Sequence, residues 1–155
     1  MTTPARGRVE AIWLKRSHRG PMDGVPEVRV TAESGIVGGV DRSRRRQITL
    51  IEREVWDRLM RELGGVAEPS ARRANLLVTG IRLANTRGLI LRLGSGRLAI
   101  GGELTPCERM DEVFPGLQAA MRPDWGGGAF AQVLVDAVIR VGDVAEWESS
   151  TQSRS

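Results

Sequence analysis

Short runs of alternating apolar and polar residues dominate this chain. Over residues 6 to 15, Val9, Ala11 and Trp13 alternate with Glu10, Ile12 and Leu14. That pattern predicts a strand whose end is buried on both faces. Glu27-Val28-Arg29-Val30-Thr31 alternates cleanly and predicts a strand with one wet face. Gln47 to Ile51 predicts a short buried strand that runs straight into a helix. On that helix Val55, Trp56, Leu59, Met60 and Leu63 share one face, and Gly64-Gly65 ends it. Thr49 and Glu52 have the spacing of a capping box at its start, unless the strand claims Thr49. Leu76 to Ile81 is an apolar strand. Leu89 to Leu93 and Arg97 to Ile100 flank Gly94-Ser95-Gly96, the pattern of a hairpin with a short glycine turn. Residues 108 to 121 predict one or two short helices broken at Pro115-Gly116. Phe130 to Val141 predicts one long, bent strand, and Val144 to Trp147 a short final one after the turn at Gly142-Asp143. Ser17 to Pro26 and Pro123 to Gly128 read as loops, and Gly35 to Gly39 as a glycine-rich turn.

The sum is seven or eight short strands and one solid helix. Strands do not alternate regularly with helices, which disfavours a parallel doubly wound sheet. The expected fold is mostly β: an antiparallel barrel-like domain over 1–148, with one well-defined helix and a few short ones. Residues 149–155 form a polar tail expected to be disordered.

Composition narrows the chemistry. A single cysteine, Cys107, excludes an intrachain disulfide, and with one histidine, His18, no structural zinc cage is expected. The N-terminus has no apolar segment of a secretory signal, and no apolar run reaches the roughly 18 residues of a membrane span. A soluble, cytoplasmic protein without a membrane partner is expected. The net charge is +4, and every one of the 23 basic residues except Lys15 is arginine. Arginine suits bidentate binding of phosphate or carboxylate. The chain has no tyrosine and only two phenylalanines, so an aromatic platform for nucleic acid is not expected.

The stretch Gly102-Glu103-Leu104-Thr105-Pro106-Cys107-Glu108-Arg109-Met110 presents its thiol among charged residues after a proline. A thiolate is the reactive species, and Arg109 with the start of a short helix favours it, while Glu103 and Glu108 oppose it. The alternative is an inert buried thiol. Arg72-Arg73-Ala74-Asn75 precedes a strand and reads as an anion clamp or as a solvated turn. Arg42, Arg44, Arg45 and Arg46 form a basic run, either an anion patch or a solvated face. Gly126-Gly127-Gly128 permits close backbone approach but reads more simply as a flexible loop. His18 is a candidate base for Cys107, though nothing in the spacing demands it.

Five stretches together carry a resemblance: Arg46-Gln47-Ile48-Thr49-Leu50-Ile51-Glu52, Arg73 to Gly80, Gly102 to Cys107, Phe114-Pro115-Gly116-Leu117, and Ile139-Arg140-Val141-Gly142-Asp143. From about Val9 to Trp147 the chain resembles the MOSC family, the domain also found at the C-terminus of molybdenum cofactor sulfurases, and within it the small stand-alone bacterial members. The resemblance implies a barrel-like fold. It implies that Cys107 either ligates molybdenum in a bound pterin cofactor (molybdopterin) or carries sulfur as a persulfide. In amidoxime-reducing relatives an Arg-Pro-Asn stretch helps hold the cofactor. Arg73 and Asn75 match its ends, with Ala74 in place of the proline. By the same resemblance Thr49 joins the cofactor-binding set more weakly, while Arg72 joins it as part of the clamp, and Arg46 is added as a further candidate. A link to pyridoxal phosphate comes with the family alone. Many members carry Gly-Asp-Arg-His, where this chain has Gly38-Gly39-Val40-Asp41-Arg42-Ser43, so no role is borrowed from that histidine. The chain shows no counterpart of those relatives' extra N-terminal barrel, so weaker cofactor affinity or a completing partner is expected.

Three functions follow as expectations. The first is a molybdenum-cofactor-binding domain supporting reduction of N-hydroxylated substrates, with electrons from a separate reductase. The second is a sulfur carrier charged by a cysteine desulfurase. The third is a non-enzymatic module binding anions or nucleic acid.

Overall fold

The alternation read in the first strand changes phase partway along. In this computed structural model, which describes residues 6–17, 19–40 and 45–148, β1 (Gly7–Lys15) buries Val9, Ile12 and Leu14. Val9 lies opposite Val78 and Ala11 opposite Leu77, so Glu10 is an extra residue, a β-bulge. The bulge lets Val9 and Ile12, three positions apart, both enter the main core. It turns Ala11 and Trp13 to the other face, where they pack on Ile51, Ala74 and Leu77. This is why the strand reads as buried on both sides.

Ten further strands follow among the described residues: β2 (Met22–Val25), β3 (Glu27–Thr31), β4 (Gly35–Ile36), β5 (Ile48–Glu52), β6 (Leu76–Thr79), β7 (Ile90–Leu93), β8 (Gly96–Glu103), β9 (Ala129–Val133), β10 (Ala137–Arg140) and β11 (Val144–Trp147). Six of them close a barrel with β1 in the order β11-β7-β8-β9-β5-β6-β1, sealed where Gly7 of β1 lies opposite Ala145 of β11. β2 pairs with the far half of β1. β10, β3 and β4 form a separate small sheet. Ile12, Leu50, Leu76, Leu91 and Leu98 fill the barrel and are essentially inaccessible.

The one parallel pairing among these strands is β5 with β6, Leu50 opposite Leu76. The crossover between them carries α1 (Arg53–Leu63), since a parallel pair needs a long connection. Gly64 ends α1 in the left-handed conformation, φ 71°. The apolar face of α1 packs with α2 (Arg109–Val113) and α3 (Leu117–Met121) in a second cluster built on Trp56, Leu59, Met60, Met110, Leu117 and Met121. The two short helices are separated at Gly116, φ 90°, where the sequence places the break.

Three expectations need correction. There are more strands than seven or eight, because Met22 to Val25, read as loop, pairs with β1. Residues 130 to 141 are two strands in different sheets, β9 and β10. Between them Asp136 leaves the ladder, and its Oδ1 accepts the Ala32 N–H at 2.9 Å. No capping box forms: Glu52 occupies the N-cap without a side-chain cap bond, and Thr49 stays in the strand. Its hydroxyl bonds Asn75 instead. His18, Arg42, Arg44 and the tail 149–155 lie outside the described residues.

Candidate functional site

Cys107 follows the end of β8 and precedes α2, and it is exposed. Its carbonyl accepts the Met110 N–H at 3.0 Å, which starts the helical turn. Beside it opens a cavity of about 710 Å³. Cys107, Arg19, Arg72, Arg73, Arg109 and Glu112 form its polar wall, and Met110, Val113, Leu104 and Ala71 its apolar one. Thr49 of β5 completes it. Four guanidiniums against one carboxylate make this an anion-attracting space.

Arg72 is the buried member, 8 % exposed. It ends a 3-10 turn, Pro69–Arg72. Its Nε donates to the Gly127 carbonyl at 2.9 Å and its NH2 group to the Leu104 carbonyl at 3.0 Å. No carboxylate pairs with it among the described residues. Burial pulls its pKa below the usual arginine value, and the charge of a Cys107 thiolate opposes that pull. A buried guanidinium with only carbonyl partners carries positive charge that is not neutralised locally.

The triple glycine is part of this arrangement. Gly126, Gly127 and Gly128 are buried, which corrects the reading of a flexible loop. A Cβ on Gly127 would stand 2.6 Å from the Leu104 carbonyl oxygen and 3.1 Å from the Arg72 guanidinium. Only glycine lets this backbone come close enough to receive Arg72.

Arg73 has a left-handed backbone, φ 65°, uncommon for a residue with a Cβ. Its NH2 group donates to the Gly20 carbonyl at 2.6 Å and ties the loop carrying Arg19 to the clamp. Asn75 and Thr49 lock each other. The Asn75 N–H donates to the Thr49 hydroxyl at 3.0 Å, and Asn75 Oδ1 accepts the Thr49 N–H at 3.0 Å and its hydroxyl at 3.1 Å. Asn75 Nδ2 donates to the Trp13 carbonyl at 3.3 Å. The Asn75 side chain thus fastens β5, β6 and β1 to one another at the cavity edge.

The structure therefore brings Cys107, Arg72, Arg73 and Thr49 to one cavity. Asn75 and Arg46 line a smaller adjoining one of about 110 Å³, which shares Thr49 and Arg73 with the first. Arg46 also stacks over the Phe130 ring at 4.8 Å. Sequence reasoning missed Arg19 and Glu112. Neither belongs to a motif; Arg19 arrives through the β1–β2 loop, and Glu112 through helical spacing from Cys107 that only the fold of α2 fixes. Among the described residues no group of three or more His, Cys, Asp or Glu could hold a metal ion. No helix among them is long and apolar enough to cross a membrane.

A closed β-barrel flanked by a small helical cluster, with a cysteine and arginines gathered outside its wall, defines the class. Within that class the chain belongs to the MOSC domain family, whose model matches residues 16–146. The family is linked to molybdenum cofactor sulfurase-related function. The fold is similar to that of the YuaD protein from Bacillus subtilis, with a TM-score of 0.77, 18% identity, and coverage of 96% of this chain and 99% of that one. It is also similar to YiiM from Escherichia coli, with a TM-score of 0.69, 20% identity, and coverage of 92% and 70%. For YiiM from Geobacillus stearothermophilus the values are 0.72, 18%, 92% and 75%. No protein of curated description matches the chain.

Proposed function

We propose that the cavity binds a molybdenum-pterin cofactor, with Cys107 as a thiolate ligand to the metal. The observation that carries this reading is Arg72, a buried guanidinium without a carboxylate, at the wall of a cavity that also holds the chain's one thiol. The residues fit such a group. The volume lies within the roughly 300–1,000 Å³ typical of small-molecule sites. Arg72, Arg73, Arg19 and Arg109 suit a phosphate, and Met110, Val113 and Leu104 offer an apolar wall to a flat ring system. A lone soft thiolate suits a metal that arrives with its remaining ligands on an organic carrier. When bound, the cofactor supplies two-electron redox chemistry, with N-hydroxylated compounds as the substrate class and a separate reductase as the electron source. Glu112 is the one carboxylate in the cavity wall.

Metal and pterin analysis of protein made in a cofactor-competent host tests this. Wild type should carry molybdenum and pterin together, and Cys107→Ser should lose most of the metal while keeping its melting temperature. Wild type free of both overturns the reading.

A second reading, a sulfur carrier, is favoured by the exposure of Cys107 and the lack of a second cysteine to resolve a persulfide. Incubation with a cysteine desulfurase and cysteine should then add one sulfur to wild type and none to Cys107→Ser. An unmodified wild type counts against it.

A further inference from the structure

Strand β5 serves two cavities. Thr49 faces outward to the Cys107 cavity. Ile48 and Leu50 face the barrel interior, and Glu52 continues their side at the strand's end. There a separate cavity of about 500 Å³ is lined by Glu52, Glu54 and Arg58, by the loop after β6 that carries Arg82, and by Asp124.

Glu52 is nine-tenths buried. One carboxylate oxygen, Oε2, accepts the Leu83 N–H at 3.1 Å. Oε1 takes no partner among the described residues. Every described side-chain nitrogen or oxygen shut off from solvent is hydrogen-bonded, so Oε1 opens onto the cavity wall. Burial pushes the Glu52 pKa up, the Leu83 N–H and the charges of Arg82 and Arg58 pull it down, and the neighbouring Glu54 charge pushes it further up. The net direction is upward.

The other charges differ in how far they are committed. Glu54 accepts the Thr79 hydroxyl at 2.6 Å and the Gly80 N–H at 2.8 Å. Arg58 stands 3.7 Å from Glu62. Arg82 makes no hydrogen bond or ion pair among the described residues. It is near enough to favour the Glu52 carboxylate, yet the two do not close into an ion pair. Asp124, at the cavity edge, and its neighbour Trp125 both hold positive φ, 52° and 56°. Such backbone strain clusters at binding sites.

Of the carboxylates in this cavity Glu52 is the buried one, and its free oxygen and the exposed guanidinium of Arg82 do not satisfy each other. Water satisfies the exposed Arg82 until a ligand's anionic group takes its place, whereas an anion alone leaves the buried Glu52 Oε1 unmatched. We infer that this cavity is a binding site for a small zwitterion, an amino acid in chemical terms, whose ammonium group meets Glu52 and whose carboxylate meets Arg82. The site uses neither Cys107 nor any of the arginines around it, so it stands independently of the cofactor reading.

Amide chemical-shift titration of the full chain tests this, with the twenty common α-amino acids as probes and methylammonium and acetate as single-charge controls. At least one amino acid should give saturable shifts at Glu52 and Gly80 to Leu83 in the millimolar range or tighter. Glu52→Gln, which preserves shape, and Arg82→Ala, which alters an exposed side chain, should each weaken binding at least about tenfold. Cys107→Ser should bind as wild type does. The inference is overturned if no amino acid gives saturable shifts. It also falls if either control binds as well as the amino acids, or if both variants bind like wild type.

Discussion

The two cavities on β5 handle buried charge in opposite ways. At the Cys107 cavity the buried group is a cation, Arg72, held by two carbonyls and surrounded by further cations. At the Glu52 cavity it is a carboxyl group, held by one N–H and facing a cation it does not touch. The first concentrates one sign of charge and suits a polyanionic ligand. The second separates two signs and suits a ligand that carries both. Four residues of one strand, Thr49 to Glu52, are enough to pass from one regime to the other, because alternate side chains leave a strand on opposite faces.

The largest test of this contrast is Arg72→Met. It should cost about 2–4 kcal/mol of stability, because it removes two charge-assisted bonds and strands the carbonyls of Gly127 and Leu104. Urea unfolding measures it. A cost within the roughly 0.5 kcal/mol typical of a surface change would mean that Arg72 does not hold the wall together.

The next test concerns Arg73. Its φ of 65° strains any residue with a Cβ, so Arg73→Gly should be more stable than Arg73→Ala by about 1 kcal/mol. Both variants lose the bond to Gly20, so the comparison isolates the backbone. Equal stabilities would show that the turn relaxes once the guanidinium is gone.

The smallest effect is a pair of opposed pH dependences two residues apart. The Glu52 pKa is raised in the fold, chiefly by burial. Its proton-linked stability is therefore complete below the ordinary value of 4.5 and is lost as pH rises through the folded value. Burial also pushes Glu54 up, but hydrogen bonds from Thr79 and Gly80 outweigh it and leave the pKa lowered. Its contribution is present above 4.5 and is lost as pH falls through the folded value. Melting temperatures from pH 3 to 7 should show the advantage of wild type over Glu52→Gln shrinking with rising pH, and its advantage over Glu54→Gln growing. Parallel trends would remove the asymmetry between the two carboxylates.

Much of the fold was legible because local pattern and tertiary demand agree. β3 alternates cleanly, Gly64 stops α1, and Pro115-Gly116 splits the short helices. The misreadings fall where a distant partner decides. Met22-Asp23-Gly24-Val25 has no strand signature, and it is a strand because β1 offers a free ladder. Thr49 matches a cap by spacing, but Asn75, 26 positions away, claims its hydroxyl. At the site, the thiol and the two adjacent arginines could be picked out, since their residue types are unusual for their positions. That Gly127 exists to admit Arg72 could not, because the relation spans 55 positions and involves only a backbone carbonyl.

The seam of the barrel joins its first strand to its last, Gly7 of β1 against Ala145 of β11. During synthesis β11 is the last of these strands to emerge, so from the appearance of β7 until then β7 and the Gly7–Arg8 end of β1 present unpaired edges. Such edges invite pairing with other chains, and closure must wait for a contact of great sequence separation, which is slow to form. Cys107 emerges before that closure. The thiol, exposed in the finished protein, is thus open to oxidants and sulfur donors before the barrel closes as well as after.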